Sequence, residues 1–175
     1  GVSEAGDFLG VFGGSAAHDR LGTAVAAPGD VDGDGLADLL IGAYGDDTGG
    51  NSAGAAFLFL GPATGAPDAH ASLYGEEDAS RAGLVVSEAG DVDGDGLADL
   101  LIGADRSGDG NAGAAYVVLG GVSGSMSLAD SDWVLRGEAD GDEAGAGLGL
   151  AGDVDNDGLA DLLIAGTGGD ASGVV

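Results

Sequence analysis

The chain has 175 residues, 44% of them hydrophobic, which allows one domain with a real core. It carries 31 acidic residues against four basic ones, a formal net charge of -27, and no cysteine. That balance excludes nucleic acid as a partner, since its binders carry basic patches. It also argues against anionic membrane surfaces, and the lack of cysteine rules out the small disulfide-stapled folds without excluding secretion.

Thirty-nine glycines and three prolines favour many tight turns over long helices. The chain opens on GVSEAGDFLG, which lacks the charged start and apolar centre of a signal peptide. No apolar run approaches the length that spans a bilayer, so membrane insertion is not expected. Phe8 to Phe12 reads as a short strand that aligns with the fourth strand of later units through Gly13, Gly75 and Gly137.

One stretch is written three times: GDVDGDGLADLLIGA from Gly29 and again from Gly90, then GDVDNDGLADLLIAG from Gly152. Asp30 to Asp91 is 61 residues and Asp91 to Asp153 is 62, so each unit is a module of several strands. In the first unit, strands are predicted at Leu21 to Ala27, Ala37 to Ala43, Ala53 to Leu60 and from Ser72 to Tyr74. The second repeats the order at Leu84 to Ser87, Ala98 to Ala104, Ala112 to Leu119 and Trp133 to Arg136. The third offers Leu162 to Ala165 and the start of another strand at Gly173 to Val175.

No stretch has helical period. Four strands per unit with turns between them predict an all-β fold of β-propeller blades, each of four antiparallel strands. The expected division is an outer strand within 1–20 that completes a blade, blades at 21–81 and 82–143, and an incomplete blade at 144–175. Each blade needs neighbours to bury its faces, and three make too tight a ring. The chain is therefore expected either to belong to a longer propeller or to self-associate through its incomplete terminal blades.

The repeated loop sets alternate aspartates around a glycine turn, which is how a chain presents oxygens to calcium. The first loop offers Asp30, Asp32, Asp34, the Leu36 carbonyl and Asp38. The second offers Asp91, Asp93, Asp95, the Leu97 carbonyl and Asp99, and the third Asp153, Asp155, Asp157, the Leu159 carbonyl and Asp161. Three calcium ions are expected, each held in a strand-loop-strand hairpin. Aspartate and glycine collect in turns without a metal, but three copies in one register outweigh that reading.

An EF-hand would need a bidentate glutamate at loop position twelve and flanking helices; position twelve is Ile41, Ile102 and Ile164. Loops of this kind fill most readily at extracellular calcium levels, so an extracellular or cell-surface setting is expected. The remaining acids, such as Glu76, Glu77, Asp78, Glu138, Asp140, Asp142 and Glu143, read as a solvated rim.

Two motif matches carry no chemistry. Gly50-Asn51-Ser52-Ala53-Gly54 fits a nucleophile elbow but lies between two strands, and the second unit has Ala112 where the serine stands. Gly147 to Gly152 fits GxGxxG but runs into an aspartate loop and not a helix. His18 and His70 have no second ligand at metal spacing, and Trp133 begins an outer strand. No acid-base or nucleophilic constellation is present, so no enzyme is expected.

The units resemble FG-GAP repeats, the blades of the integrin α-subunit N-terminal propeller and of many bacterial surface proteins. The motif of that family is Phe-Gly, then DxDxDGxxD, then Gly-Ala-Pro. This chain has the first glycine at Gly22, Gly83 and Gly145, with Leu21, Ala82 and Ala144 in place of phenylalanine. It has Gly42-Ala43 followed by Tyr44, Gly103-Ala104 followed by Asp105, and Ala165-Gly166 in the third copy. The resemblance implies a calcium-bound propeller, commonly of seven blades, that serves adhesion or binds a protein or glycan without catalysis. The alternatives are a self-assembling structural subunit, as a filament or ring, and an accessory propeller of a larger secreted enzyme.

Overall fold

The computed structural model describes Phe12, Ala16 and residues 18–62 and 67–168. The strand expected at Phe8 to Phe12 lies outside this set except for Phe12, and the one at Gly173 to Val175 lies wholly outside it.

The structure is all-β, as the repeats predict. Eleven strands form three sheets among the described residues. The first contains β1 (Val25–Ala26), β2 (Leu39–Ala43), β3 (Ala55–Phe59) and β4 (Ala71–Tyr74) in antiparallel order. The second contains β5 (Val85–Gly90), β6 (Asp99–Ala104), β7 (Ala114–Val118) and β9 (Trp133–Arg136), also antiparallel. The third is the hairpin of β10 (Gly147–Gly152) and β11 (Asp161–Ala165).

Four features depart from the expectation. The strand foreseen at Leu21 to Ala27 shrinks to the two residues of β1, because Arg20 to Thr23 forms a turn: the Thr23 N–H donates to the Arg20 carbonyl at 3.2 Å, and Arg20 and Gly22 are left-handed, with φ of 58° and 91°. Gly147 to Gly152, read only as a glycine motif, is β10; its alternation of glycine and leucine is the two-residue period of a strand. The first sheet also gains a fifth strand, β8 (Gly124–Ser127), which leaves the second unit and pairs parallel with β4, Leu73 opposite Met126. Short 3-10 turns at Asp109–Asn111 and Leu128–Asp130 were not anticipated.

Sheets stack through two apolar layers. Leu40, Leu58 and Leu73 of the first sheet meet Leu100, Ile102 and Tyr116 of the second. On the opposite face of the second sheet, Leu101, Ala115 and Val117 meet Leu148, Leu162 and Ile164 of the hairpin. Successive side chains of a strand point to opposite faces, so β6 and β7, buried along their whole length, are continuously apolar apart from Asp99 at the start of β6. Each fully buried Leu or Ile contributes about 2 kcal/mol.

Between the first and second sheets lies a polar network that joins Glu76, just past β4, to the second sheet. Glu76 Oε1 accepts from the Tyr116 hydroxyl and from Arg136 Nη2, both at 2.6 Å. Ser107 Oγ lies 3.1 Å from the same hydroxyl. Burial, then the Glu76 hydrogen bond, pushes the Tyr116 hydroxyl well above its ordinary range, so it stays a donor.

Candidate metal centres

Each aspartate loop bridges the first two strands of a sheet. Gly90 opposite Asp99 and Gly152 opposite Asp161 close the second and third hairpins, each after a bulge. In the first, the Asp38 N–H donates to the Gly29 carbonyl at 2.8 Å and closes the loop at the same place.

Within the loop the carboxylates first serve the backbone. Asp30 Oδ1 accepts from the Gly33 N–H at 2.7 Å and Oδ2 from the Gly35 N–H at 2.8 Å. Asp91 does the same for Gly94 and Gly96, at 2.7 and 3.0 Å. In the third loop Asp153 takes Asp157 and Gly158 N–H groups, both at 3.0 Å. These bonds wind the loop so tightly that its fourth position is left-handed, with φ of 81° at Gly33 and 80° at Gly94. The third copy has Asn156 there at φ 64°, a residue that tolerates this conformation.

The ninth-position aspartates are the anchors. Asp38 is buried, and its two oxygens accept from the Val31 N–H at 2.8 Å and the Gly61 N–H at 2.9 Å. Asp99 is fully buried and accepts from Val92 and Gly120, both at 2.8 Å. Burial pushes the Asp99 carboxyl above the usual range, those two N–H groups oppose the shift, and the charges of Asp93 and Asp91 add to it. Asp161, half-buried, takes the Val154 N–H at 2.7 Å.

Three carboxylate groups result. Asp30, Asp32 and Asp38 place an oxygen each within 4.8 Å of one another, as do Asp91, Asp93 and Asp99, and Asp153, Asp155 and Asp161. Such all-oxygen, all-anionic sets suit a hard divalent cation. The fifth-position aspartates are not in these groups. Asp34, Asp95 and Asp157 instead each accept the N–H two residues on, from Leu36, Leu97 and Leu159 at 2.8 Å.

The sequence reading missed the glycines that support the anchors, Gly61 and Gly120. A Cβ on Gly61 would come within 2.6 Å of the Ala37 carbonyl oxygen, and one on Gly120 within 2.5 Å of Leu97 Cβ. Their recurrence after the third strand, as Leu60-Gly61 and Leu119-Gly120, is the signal that could have found them. The rejected elbow serine, Ser52, sits in the β2–β3 turn with its hydroxyl 3.5 Å from Asn51 Oδ1.

A family model described as FG-GAP repeat matches residues 21–59 and 87–118, the two stretches that carry the first strands and loops of the first two sheets. These are FG-GAP repeats. Integrin alpha-5 of Xenopus laevis is 31% identical over 170 residues, covering 92% of this chain and 16% of its own length. Integrin alpha-4 of Xenopus laevis is 32% identical over 168 residues, covering 87% of this chain and 15% of its own length. Human integrin alpha-X is 38% identical over 91 residues, 49% of this chain and 8% of its own. The chain thus spans under a fifth of each of these relatives.

The FG-GAP glycines have a physical cause here. Gly42 of β2 lies against Gly83, so that a Cβ on Gly42 would sit 2.0 Å from the Gly83 carbonyl oxygen. Gly103 of β6 meets the Gly145 carbonyl oxygen in the same way, at 2.2 Å. The glycine of the first FG-GAP element in one blade therefore rests on the glycine of the Gly-Ala element in the blade before it.

Proposed function

We propose that this chain is a calcium-binding part of an integrin-α-type β-propeller that acts outside the cell as a non-catalytic scaffold for adhesion. The observation that carries the reading is the recurrence of one carboxylate triad at the first, third and ninth positions of three FG-GAP loops. The integrin alpha relatives support the adhesive role and the extracellular setting. Among the described residues no helix is long and apolar enough to cross a membrane.

The first loop holds its ion with Asp30, Asp32, Asp34, Asp38 and the Leu36 carbonyl. The second uses Asp91, Asp93, Asp95, Asp99 and the Leu97 carbonyl, and the third Asp153, Asp155, Asp157, Asp161 and the Leu159 carbonyl. For Asp34, Asp95 and Asp157 this requires the carboxylate to turn toward the triad when the ion enters. The ion supplies positive charge to a cluster of anions; the residues supply a preformed turn. Its role is architectural, and the protein or glycan partner is met by loops elsewhere on the propeller.

Blades span 21–81 and 82–143, with an incomplete blade at 144–175, and the outer ones need neighbours. Val25 and Leu36 are exposed on the first, Val154 and Leu163 on the third, the pattern of a stack that continues on both sides. Blades from a longer polypeptide or from a second copy supply them.

Calorimetric melting with calcium chloride and with chelator tests the proposal. Calcium raises the melting temperature by the mass-action stabilisation of a folded-state ligand, about 2.7 kcal/mol at a hundredfold excess over Kd. An unchanged melting temperature sinks it.

A further inference from the structure

The second loop is joined to the first and to the third. Ala98 N–H donates to the Asp30 carbonyl at 2.8 Å, and Gly121 N–H to the Val31 carbonyl at 2.7 Å. Ala98 precedes the anchor Asp99, and Gly121 follows the Gly120 N–H that Asp99 accepts. The backbone that carries the ninth carboxylate of the second loop therefore grips the first two residues of the first loop. Leu97 covers the same loop: its Cδ2 would lie 3.2 Å from a Cβ on Gly33.

The junction recurs between the second and third loops. Ala160 N–H donates to the Asp91 carbonyl at 3.1 Å, and Leu159 Cδ2 would lie 3.1 Å from a Cβ on Gly94. Among the described residues no hydrogen bond is found between the first loop and the third. The burial of one residue type tracks the junctions: Val31 is 0% exposed and Val92 7%, but Val154, with no described loop beyond it, is 72% exposed.

We infer that the loops fill as a coupled row, with the second loop the member shared by both junctions. The inference rests on the calcium reading above. An ion that draws Asp91, Asp93 and Asp99 together fixes residues 97–99, and so fixes the Asp30 backbone before the first loop has bound anything. Part of the ordering that the first ion would otherwise have to impose is already done. Coupling of this kind is reciprocal, so filling the first loop raises the affinity of the second by the same factor.

The test is calorimetric titration of calcium chloride into the chain with chosen loops silenced at their third position. Asp32, Asp93 and Asp155 are exposed, so D32N, D93N and D155N leave the core untouched. D155N keeps the first two loops; adding D93N or D32N to it leaves one loop each. The two-ion constant of D155N should exceed the product of the two single-loop constants by about tenfold. Leu97→Ala, which keeps all carboxylates, should cut that excess to about twofold.

The D93N chain keeps the first and third loops, and its two-ion constant should equal the product of their separate constants. A D155N constant equal to its product overturns the coupling, and an excess unchanged by Leu97→Ala overturns the junction as its route. A native chain that binds no calcium at all overturns the calcium reading itself.

Discussion

Arg81 grips both carboxylate oxygens of Asp105, Nε meeting Oδ1 at 3.0 Å and Nη2 meeting Oδ2. The same two positions pair in each repeat with different chemistry. Arg20 donates to the Tyr44 hydroxyl with its guanidinium 4.8 Å from the ring centroid, and the Thr167 hydroxyl donates to Glu143. Arg20, Arg81 and Glu143 all have left-handed backbone, φ of 58°, 60° and 53°. Tyr44 and Asp105 follow the Gly-Ala element, and Thr167 the Ala165-Gly166 that replaces it, where the family motif has proline. This chain fastens that turn by a side-chain bond instead of a ring.

Removing Asp105 should therefore loosen the second blade. Its side chain is 7% exposed and that of Arg81 26%, so the pair is worth more than an open surface bridge and less than a fully buried one. Asp105→Ala is expected to cost about 2 kcal/mol in denaturant unfolding. A loss below about 0.5 kcal/mol would show the pair to be incidental.

Gly42→Ala and Gly103→Ala place a methyl against a backbone carbonyl of the next blade, which cannot rotate away. Each should cost about 3 kcal/mol by overpacking, read as a lower denaturant midpoint with an unchanged slope. Ala165 stands at the equivalent position of β11 and is exposed. Ala165→Gly should cost no more than about 1 kcal/mol, the ordinary penalty of glycine in a strand.

The Glu76 network predicts an acid-side dependence. Burial alone raises the Glu76 carboxyl, but the hydrogen bonds from Tyr116 and Arg136, then the Arg136 charge and Ser107, outweigh it and hold the group below its ordinary 4.5. A carboxyl depressed in the folded state adds stability above its unfolded value, and that stability is lost as pH falls through the folded value. Unfolding free energy should thus fall less steeply below pH 4.5 in Glu76→Gln than in the native chain, with the two curves offset but parallel above it. Equal slopes below that pH would count against the network.

Asn156 tests the left-handed turn. Asn156→Gly should be neutral within about 0.5 kcal/mol, whereas Asn156→Val, β-branched at φ 64°, should cost about 2 kcal/mol. Thermal unfolding in chelator isolates the backbone effect from the metal.

The repeat spacing, the aspartate register and the two-residue apolar period were enough to read three hairpins, an all-β architecture and the loops in which the carboxylates stand. These are local properties: a loop of nine residues and a strand of five are specified by neighbours in the chain. The same local reading does not say which of the carboxylates already converge in the folded chain. Whether Asp34 faces the triad or its own Leu36 N–H is set by side-chain rotation, which residue type and spacing leave free.

What only the tertiary structure decided is how one unit leans on the next. Nothing in Gly124 to Ser127 marks it as a strand for another blade, because its partner β4 lies some fifty residues earlier. Glu76 reads as a rim acid until Tyr116 and Arg136 are packed over it. The glycines at Gly42 and Gly83 are visible in the sequence as motif positions, but the 2.0 Å approach that forbids a side chain exists only when two sheets are stacked. Contacts across sheets depend on distance in space, and that is the information a repeat read along the chain does not carry.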